Sequence, residues 1–132
     1  MASLKREVIV AEKAPKAIGP YSVGVRTGDL VFVSGSLGVD PKTGEFAPRG
    51  IEAETRQALQ NLTSVLEAGG SSLDQVVKTT VFLRDIDEFS KMNAVYAEFF
   101  PKDPPARSTF QVAALPRGAA VEIEAIAVAG KG

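Results

Sequence analysis

Residues 104–127 of the chain have the sequence PPARSTFQVAALPRGAAVEIEAIA. Apolar and β-branched residues on both sides of the turn sequence LPRG predict two strands, residues 106–112 and 121–128, joined as a hairpin. The pattern leaves the register of this hairpin open, and a shift of one residue moves every side chain to the other face of the sheet. The stretch therefore predicts that the chain ends in a β-sheet.

Both predicted strands carry charge where a half-buried sheet favours apolar side chains, and such departures are common at functional sites. Arg107 follows two prolines that stiffen the backbone, so its guanidinium suits two-point binding of a carboxylate. Its competing role is a structural ion pair with Glu122 or Glu124. Alternation places these two acids on the same face of their strand, and spacing alone does not decide which one is functional.

The remaining sequence predicts a mixed strand and helix domain that spans residues 1–132 in the order β-β-β-α-β-α-β-β. The predicted elements are strands at Glu7–Val10, Tyr21–Arg26 and Leu30–Ser34, a helix from Ile51 to a stop at Gly69–Gly70, a strand at Leu73–Leu83, and a helix from Asp85 to a stop at Pro101. Two helices are too few to cover both faces of a six-stranded sheet. We therefore expect the chain to associate with copies of itself.

Composition narrows the chemistry. The chain has no cysteine and no histidine, which removes thiolate nucleophiles, disulfides and the commonest metal ligands, so we expect no metal site and no cofactor. Its 15 basic and 16 acidic residues give no charge excess that would favour nucleic acid. We find no signal peptide and no apolar run of membrane-spanning length, so we expect a cytoplasmic protein.

Six collinear segments resemble the RidA family, also called YjgF or L-PSP. They are AIGPYS (17–22), VFVSG (31–35), VKTTV (77–81), PARS (105–108), QVAALP (111–116) and EIEAIA (122–127). The resemblance implies a chorismate-mutase-like α+β fold with two helices packed on one face of a mixed sheet. It also implies a homotrimer with an active cleft between neighbouring subunits.

The activity that this resemblance implies is hydrolysis of 2-imino acids to 2-keto acids and ammonia. These imines, 2-iminobutanoate and 2-iminopropanoate, or their enamine tautomers, leave pyridoxal-phosphate enzymes that dehydrate threonine or serine. The family pattern makes Arg107 the carboxylate-binding residue and Glu122 the residue that activates water. It adds polar groups around the substrate at Tyr21, Ser34, Asn93 and Thr109.

Two departures from the family pattern affect the expected site. Thr109 stands where some bacterial relatives have cysteine, so a thiol has no part here and only backbone contacts at that position are expected. Ser36 stands where many relatives have glutamine, which affects substrate preference more than reaction type.

Other functions remain open from the sequence. The same Arg107 pocket could bind a 2-keto acid as a sensor without turnover. A ribonuclease or translation inhibitor, a role attached historically to this family, has little support from the charge balance or from the lack of histidine. A holdase-like chaperone role is compatible with the apolar surface.

Overall fold

A six-stranded mixed sheet with two helices on one face forms the architecture of the chain. It is described for residues 5–46 and 48–130 by a computed structural model. The strands are β1 (Arg6–Ile9), β2 (Gly24–Thr27), β3 (Leu30–Ser36), β4 (Val76–Leu83), β5 (Ala106–Gln111) and β6 (Val121–Val128). Helix α1 (Ile51–Ala68) follows β3, and helix α2 (Phe89–Phe99) follows β4. This confirms the predicted α+β fold class and the element order.

Helix α1 forms because apolar side chains recur at helical spacing along its inner face, where Ala58, Leu59, Leu62 and Leu66 are fully buried. The helix ends where it was predicted to end. Gly70 has a φ of 84°, a left-handed conformation that costs glycine little. Neither helix in the described part of the chain has the length and apolar character needed to cross a bilayer.

Three predicted starts were wrong. Strand β2 begins at Gly24 and not at Tyr21. In the other two cases a short polar turn precedes the regular element. The segment Leu73–Gln75 is a 3-10 turn, so β4 begins at Val76 and not at Leu73. The segment Ile86–Glu88 is another such turn, so α2 begins at Phe89. In the second turn the Asp85 carboxylate accepts a hydrogen bond from the Asp87 backbone N–H at 2.9 Å, which satisfies a donor without starting an α-helix.

The predicted hairpin between the last two strands is also wrong. Strand β4 lies between them, and the order across the sheet is β1-β2-β3-β6-β4-β5. Strand β5 runs parallel to β4, and β6 runs antiparallel to β4 and to β3. A parallel strand needs a crossover, which α2 provides between β4 and β5. Strand β5 is therefore an edge strand, and the segment after it returns to the middle of the sheet.

The two faces of the sheet have different environments. The face under the helices carries the core, including Val31, Val81 and Ile123, all fully buried. We call the opposite face the open face. Its exposed apolar side chains are Val8, Leu30, Phe32, Phe110 and Val128. A single chain thus leaves one face of its sheet uncovered, as expected from the number of helices.

A buried carboxylate connects the start of α1 to the segment before β6. Glu54 is only 1% exposed, and its Oε2 accepts hydrogen bonds from the Gly50 backbone N–H at 2.9 Å and from Arg49 Nε at 3.3 Å. Its Oε1 accepts from the Ala120 backbone N–H at 2.8 Å. This carboxylate satisfies two backbone donors that come from distant parts of the sequence.

We predict that Glu54→Ala lowers the free energy of unfolding by about 3 kcal/mol, because buried N–H groups lose their acceptor. Urea denaturation at one fixed protein concentration measures this change. The matched control is Glu52→Ala, an exposed acid in the same helical turn, which should change stability by less than about 0.5 kcal/mol. Equal effects of the two substitutions would contradict the assignment.

Candidate functional site

Arg107 lies on the edge strand β5 with its side chain on the helix side of the sheet. Its guanidinium carbon lies 4.7 Å from the ring centroid of Tyr96 and 5.5 Å from that of Phe89, both on α2. Within the described part of the chain it forms no ion pair. The guanidinium is therefore held against aromatic rings, and its charge is not neutralised by a carboxylate.

The backbone of β5 adds donors beside this guanidinium. The Val112 backbone N–H donates to the Leu83 carbonyl of β4 at 3.0 Å. Because peptide groups alternate in direction along a strand, those of Arg107 and Thr109 point away from β4 towards the free edge. A carboxylate at this edge could bind the guanidinium and the Thr109 N–H together.

Two unpartnered polar atoms lie in the same region. Asn93 Oδ1 and Thr109 Oγ1 are buried and have no hydrogen-bond partner among residues 5–46 and 48–130. Asn93 falls between Phe89 and Tyr96 on one face of α2, and Thr109 shares the side-chain direction of Arg107 on β5. We call Arg107, Thr109, Asn93 and the two rings the carboxylate half-site.

Glu122 lies on β6 and points to the open face of the sheet. A Cβ atom added at Gly35 would be 2.6 Å from the Glu122 carboxyl carbon, so a larger residue there would displace this carboxylate. Burial raises the pKa of Glu122, and the nearby Glu124 carboxylate raises it further. Glu122 is thus a half-buried acid that holds its proton more tightly than an exposed glutamate.

Tyr21 and Ser34 lie beside Gly35, on the lining of a cavity of about 410 Å³. Ser34 Oγ donates to the Ser22 carbonyl at 2.5 Å, and this bond fixes the hydroxyl. Tyr21 is 49% exposed, and its hydroxyl accepts a long hydrogen bond from the Ile18 backbone N–H at 3.4 Å. Glu122 does not line this cavity, and its carboxyl is connected to the cavity only through Gly35. We call Glu122, Gly35, Ser34 and Tyr21 the acid half-site.

The two half-sites do not meet within one chain. Arg107 is opposite Thr79 on β4, whereas Glu122 is opposite Phe82. Thr79 and Phe82 are three positions apart on one strand, so their side chains point to opposite faces of the sheet, and so do those of their partners. The residues therefore project from opposite faces, on strands whose backbones are about 10 Å apart. The alternative that Arg107 pairs with Glu122 or Glu124 in the same chain is wrong, because both acids lie on the open face.

Sequence reasoning found the charged residues but missed the groups that hold them. It predicted the second helix but gave Phe89 and Tyr96 no role in the site. Their spacing of seven residues, with Asn93 between them, is the signal that could have placed both rings and a polar group on one helical face. Nothing local in the sequence indicates that this face lies over Arg107.

Comparison with known proteins gives consistent results over nearly the whole chain. Residues 11–129 match the family model described as Endoribonuclease L-PSP. The chain is 50% identical over 130 residues to the 2-iminobutanoate/2-iminopropanoate deaminase of Bos taurus, covering 98% of this chain and 95% of that protein. It is 50% identical to the chloroplastic Reactive Intermediate Deaminase A of Arabidopsis thaliana, covering 95% of this chain and 67% of that protein.

A solved structure also matches. The crystal structure of E. coli TdcF with bound serine superposes with a TM-score of 0.89 at 42% identity and covers 94% of this chain and 99% of that one. The fold of the described residues is therefore the fold of that protein.

We predict that the Glu122 carboxyl titrates above the ordinary range for glutamate and that Glu124→Gln lowers its pKa, because the substitution removes a repulsive charge. Carbon-detected NMR of the side-chain carboxyl, assigned by its loss in Glu122→Gln, measures both midpoints. Glu67→Gln, an exposed acid on α1, is the control and should leave the midpoint unchanged. An unchanged midpoint in Glu124→Gln would contradict the assigned cause.

Proposed function

The chain belongs to the L-PSP family, which is the RidA family named in the sequence analysis. We propose that it acts as a 2-iminobutanoate/2-iminopropanoate deaminase. It is then a hydrolase of C=N bonds that converts reactive imines to 2-keto acids and ammonia. The observation that carries this function is the Arg107 guanidinium, which faces two aromatic rings at a free strand edge and pairs with no carboxylate among the described residues.

The carboxylate half-site explains how a 2-imino acid would be oriented. Its planar carboxylate matches the parallel N–H groups of Arg107 and the free N–H of Thr109. A carboxylate held at two points fixes the adjacent C=N carbon relative to the protein, which converts attack by water into a nearly intramolecular step. Neither contact requires a thiol at position 109, so threonine there is compatible with the reaction.

The acid half-site supplies the proton transfers. The Glu122 carboxylate takes a proton from water as the water oxygen bonds to the imine carbon and the C=N π electrons move to nitrogen. The same carboxyl then returns its proton to nitrogen, which gives a neutral carbinolamine. In the second step the Glu122 carboxylate removes the proton of the new hydroxyl and delivers it to nitrogen, so the C–N bond breaks, ammonia leaves and the carbonyl forms. An acid with a raised pKa suits this exchange, because it binds the proton strongly enough to accept it and can still release it.

We propose that the complete site forms between two copies of the chain in a homotrimer. Two observations support this arrangement. Arg107 and Glu122 project from opposite faces of one sheet, so a common site needs Glu122 from another copy. The exposed apolar side chains of the open face provide the surface that such an assembly would bury. We propose the cytoplasm as the location, as expected in the sequence analysis.

A non-catalytic sensor is the alternative that uses the same carboxylate half-site. A relative of this chain was crystallised with serine, a small amino acid with a carboxylate. Binding of a small carboxylate without turnover is therefore a second outcome to test. Sensor and enzyme differ in whether the imine disappears faster, and the following assay separates them.

We predict that the protein accelerates the loss of 2-iminobutanoate generated in situ by a threonine dehydratase. Arg107→Ala should lower kcat/KM about 100-fold, because a charge-assisted two-point contact contributes about 3 kcal/mol. Arg107→Lys should recover only part of this loss, because an ammonium lacks the planar fork. Arg56→Ala, which removes an exposed arginine paired with Glu98, is the control and should retain full activity.

If Arg107→Ala still accelerates the loss of 2-iminobutanoate as the wild type does, the role assigned to Arg107 is wrong. Binding of 2-ketobutyrate by the wild type without acceleration would establish the sensor. RNA cleavage unaffected by Arg107→Ala would favour the nuclease described in the family name, or a contaminant.

We predict complementation between two inactive variants. Co-refolding Arg107→Ala with Glu122→Gln should restore about one quarter of wild-type activity, because each residue is intact at half of the shared sites and the two choices are independent. Steady-state imine loss, with each variant refolded alone as the control, measures this fraction. If both residues acted from one chain, every mixed site would lack one of them and no activity would return.

A further inference from the structure

We propose that Phe89, Tyr96 and Thr79 are positioning residues for the reaction, because together they fix the plane and location of the Arg107 guanidinium. This inference rests on the proposed deaminase function and assigns roles to three side chains that need not touch the substrate. We call Phe89 and Tyr96 the aromatic pair.

The need for positioning follows from the location of Arg107. It lies on an edge strand, where one side of the backbone has no neighbouring strand, and a long side chain there has many rotamers. Ordering it only when substrate arrives would weaken binding. No ion pair holds it within the described residues, so other contacts must restrict its motion.

The aromatic pair supplies those contacts. Both rings project from α2, two helical turns apart, and their centroids lie 4.7 Å and 5.5 Å from the guanidinium carbon. A cation over a ring face is attracted by the ring quadrupole. Because the N–H groups lie in the guanidinium plane, such a contact leaves them available to a carboxylate.

Thr79 fixes the position of Tyr96. Its Oγ1 lies 2.7 Å from the Tyr96 hydroxyl, and both residues are buried. Thr79 is also the residue directly opposite Arg107 on β4. The three residues therefore contact one another in turn. Thr79 is hydrogen-bonded to Tyr96, the Tyr96 ring faces Arg107, and Arg107 is the strand partner of Thr79.

The electrostatics of Tyr96 agree with this arrangement. Burial is the largest influence and raises the pKa of Tyr96, although the Thr79 hydrogen bond and the Arg107 charge act in the opposite direction. The phenol stays neutral at physiological pH as a result. It contacts Arg107 without cancelling the positive charge that the substrate carboxylate would bind.

Core packing alone does not explain the aromatic pair. Tyr96 contacts Phe100 at 4.7 Å between ring centroids, a contact that is common in hydrophobic cores. Phe89 differs, because it is 37% exposed and still faces the guanidinium. Phe89 is therefore the better residue for a test, since its replacement disturbs little buried structure.

The test uses Phe89→Leu, Tyr96→Leu and Tyr96→Phe, with Phe99→Leu as the matched control on the same helix. Three quantities are measured: the affinity for 2-ketobutyrate by NMR titration, KM and kcat for imine loss, and the Nε–Hε resonance of Arg107. That resonance is assigned by its loss in Arg107→Lys, and ring currents should displace it in the wild type. The guanidinium readout responds to ring contact, not to general stability.

We expect Phe89→Leu and Tyr96→Leu to raise both the dissociation constant and KM about 5- to 10-fold, which corresponds to about 1 kcal/mol of cation–π attraction. The kcat should change less than about twofold, because the chemical groups remain. The arginine resonance should move towards its value in an unstructured peptide. Tyr96→Phe keeps the ring but loses the hydrogen bond to Thr79, so its dissociation constant should rise by no more than about threefold. Phe99→Leu should change nothing.

The proposal is overturned if folded Phe89→Leu and Tyr96→Leu leave both the affinity and the arginine resonance unchanged. If Tyr96→Leu does not fold, Phe89→Leu decides by the same criteria. If the wild type binds 2-ketobutyrate but does not accelerate imine loss, the deaminase proposal is rejected. The positioning role is then decided by the 2-ketobutyrate affinity and the Arg107 resonance of the variants. If it binds no 2-ketobutyrate, the displaced resonance alone decides.

Discussion

The pairing of β4 with two different neighbours is the constraint on which the rest of the structure depends. Side chains of a strand alternate between faces, so every position on β4 assigns its partners on β5 and β6 to one face or the other. Thr79 directs Arg107 towards the helices, and Phe82 directs Glu122 towards the open face. No rotamer change can bring the two charges together within one chain, because the separation is set by the backbone.

This separation has chemical consequences. An arginine and a glutamate on the same half-buried face would pair, and each would then be neutralised by the other. Apart, Arg107 keeps its positive charge against aromatic rings, and Glu122 has a raised pKa in the company of Glu124. The structure thus leaves one group free for an anion and another for a proton, and in the site that we propose a second copy of the chain brings the two to one substrate.

Much of the remaining sequence holds these two groups in place. Gly35 leaves the space in which the Glu122 carboxyl lies, and Glu54 connects the start of α1 to the residue before β6. On the other side of the sheet, the Thr79–Tyr96 hydrogen bond and the helical spacing of α2 place two rings over the edge strand. Polar groups that appear isolated in the sequence therefore help to hold the residues of the proposed site in place.

The sequence by itself determined the presence of both helices, the glycine stop of α1 and the presence of strands β2 and β3, and it singled out Arg107 and Glu122 as candidates. These depend on periodicity, turn chemistry and a collinear family pattern, all of which are local. It did not determine that β4 separates β5 from β6, that Arg107 and Glu122 face opposite ways, or that Phe89 and Tyr96 contact the guanidinium. Those features arise from pairing and packing between residues far apart in the chain, where a shift of one position exchanges the faces of a sheet, and only the tertiary structure decides them.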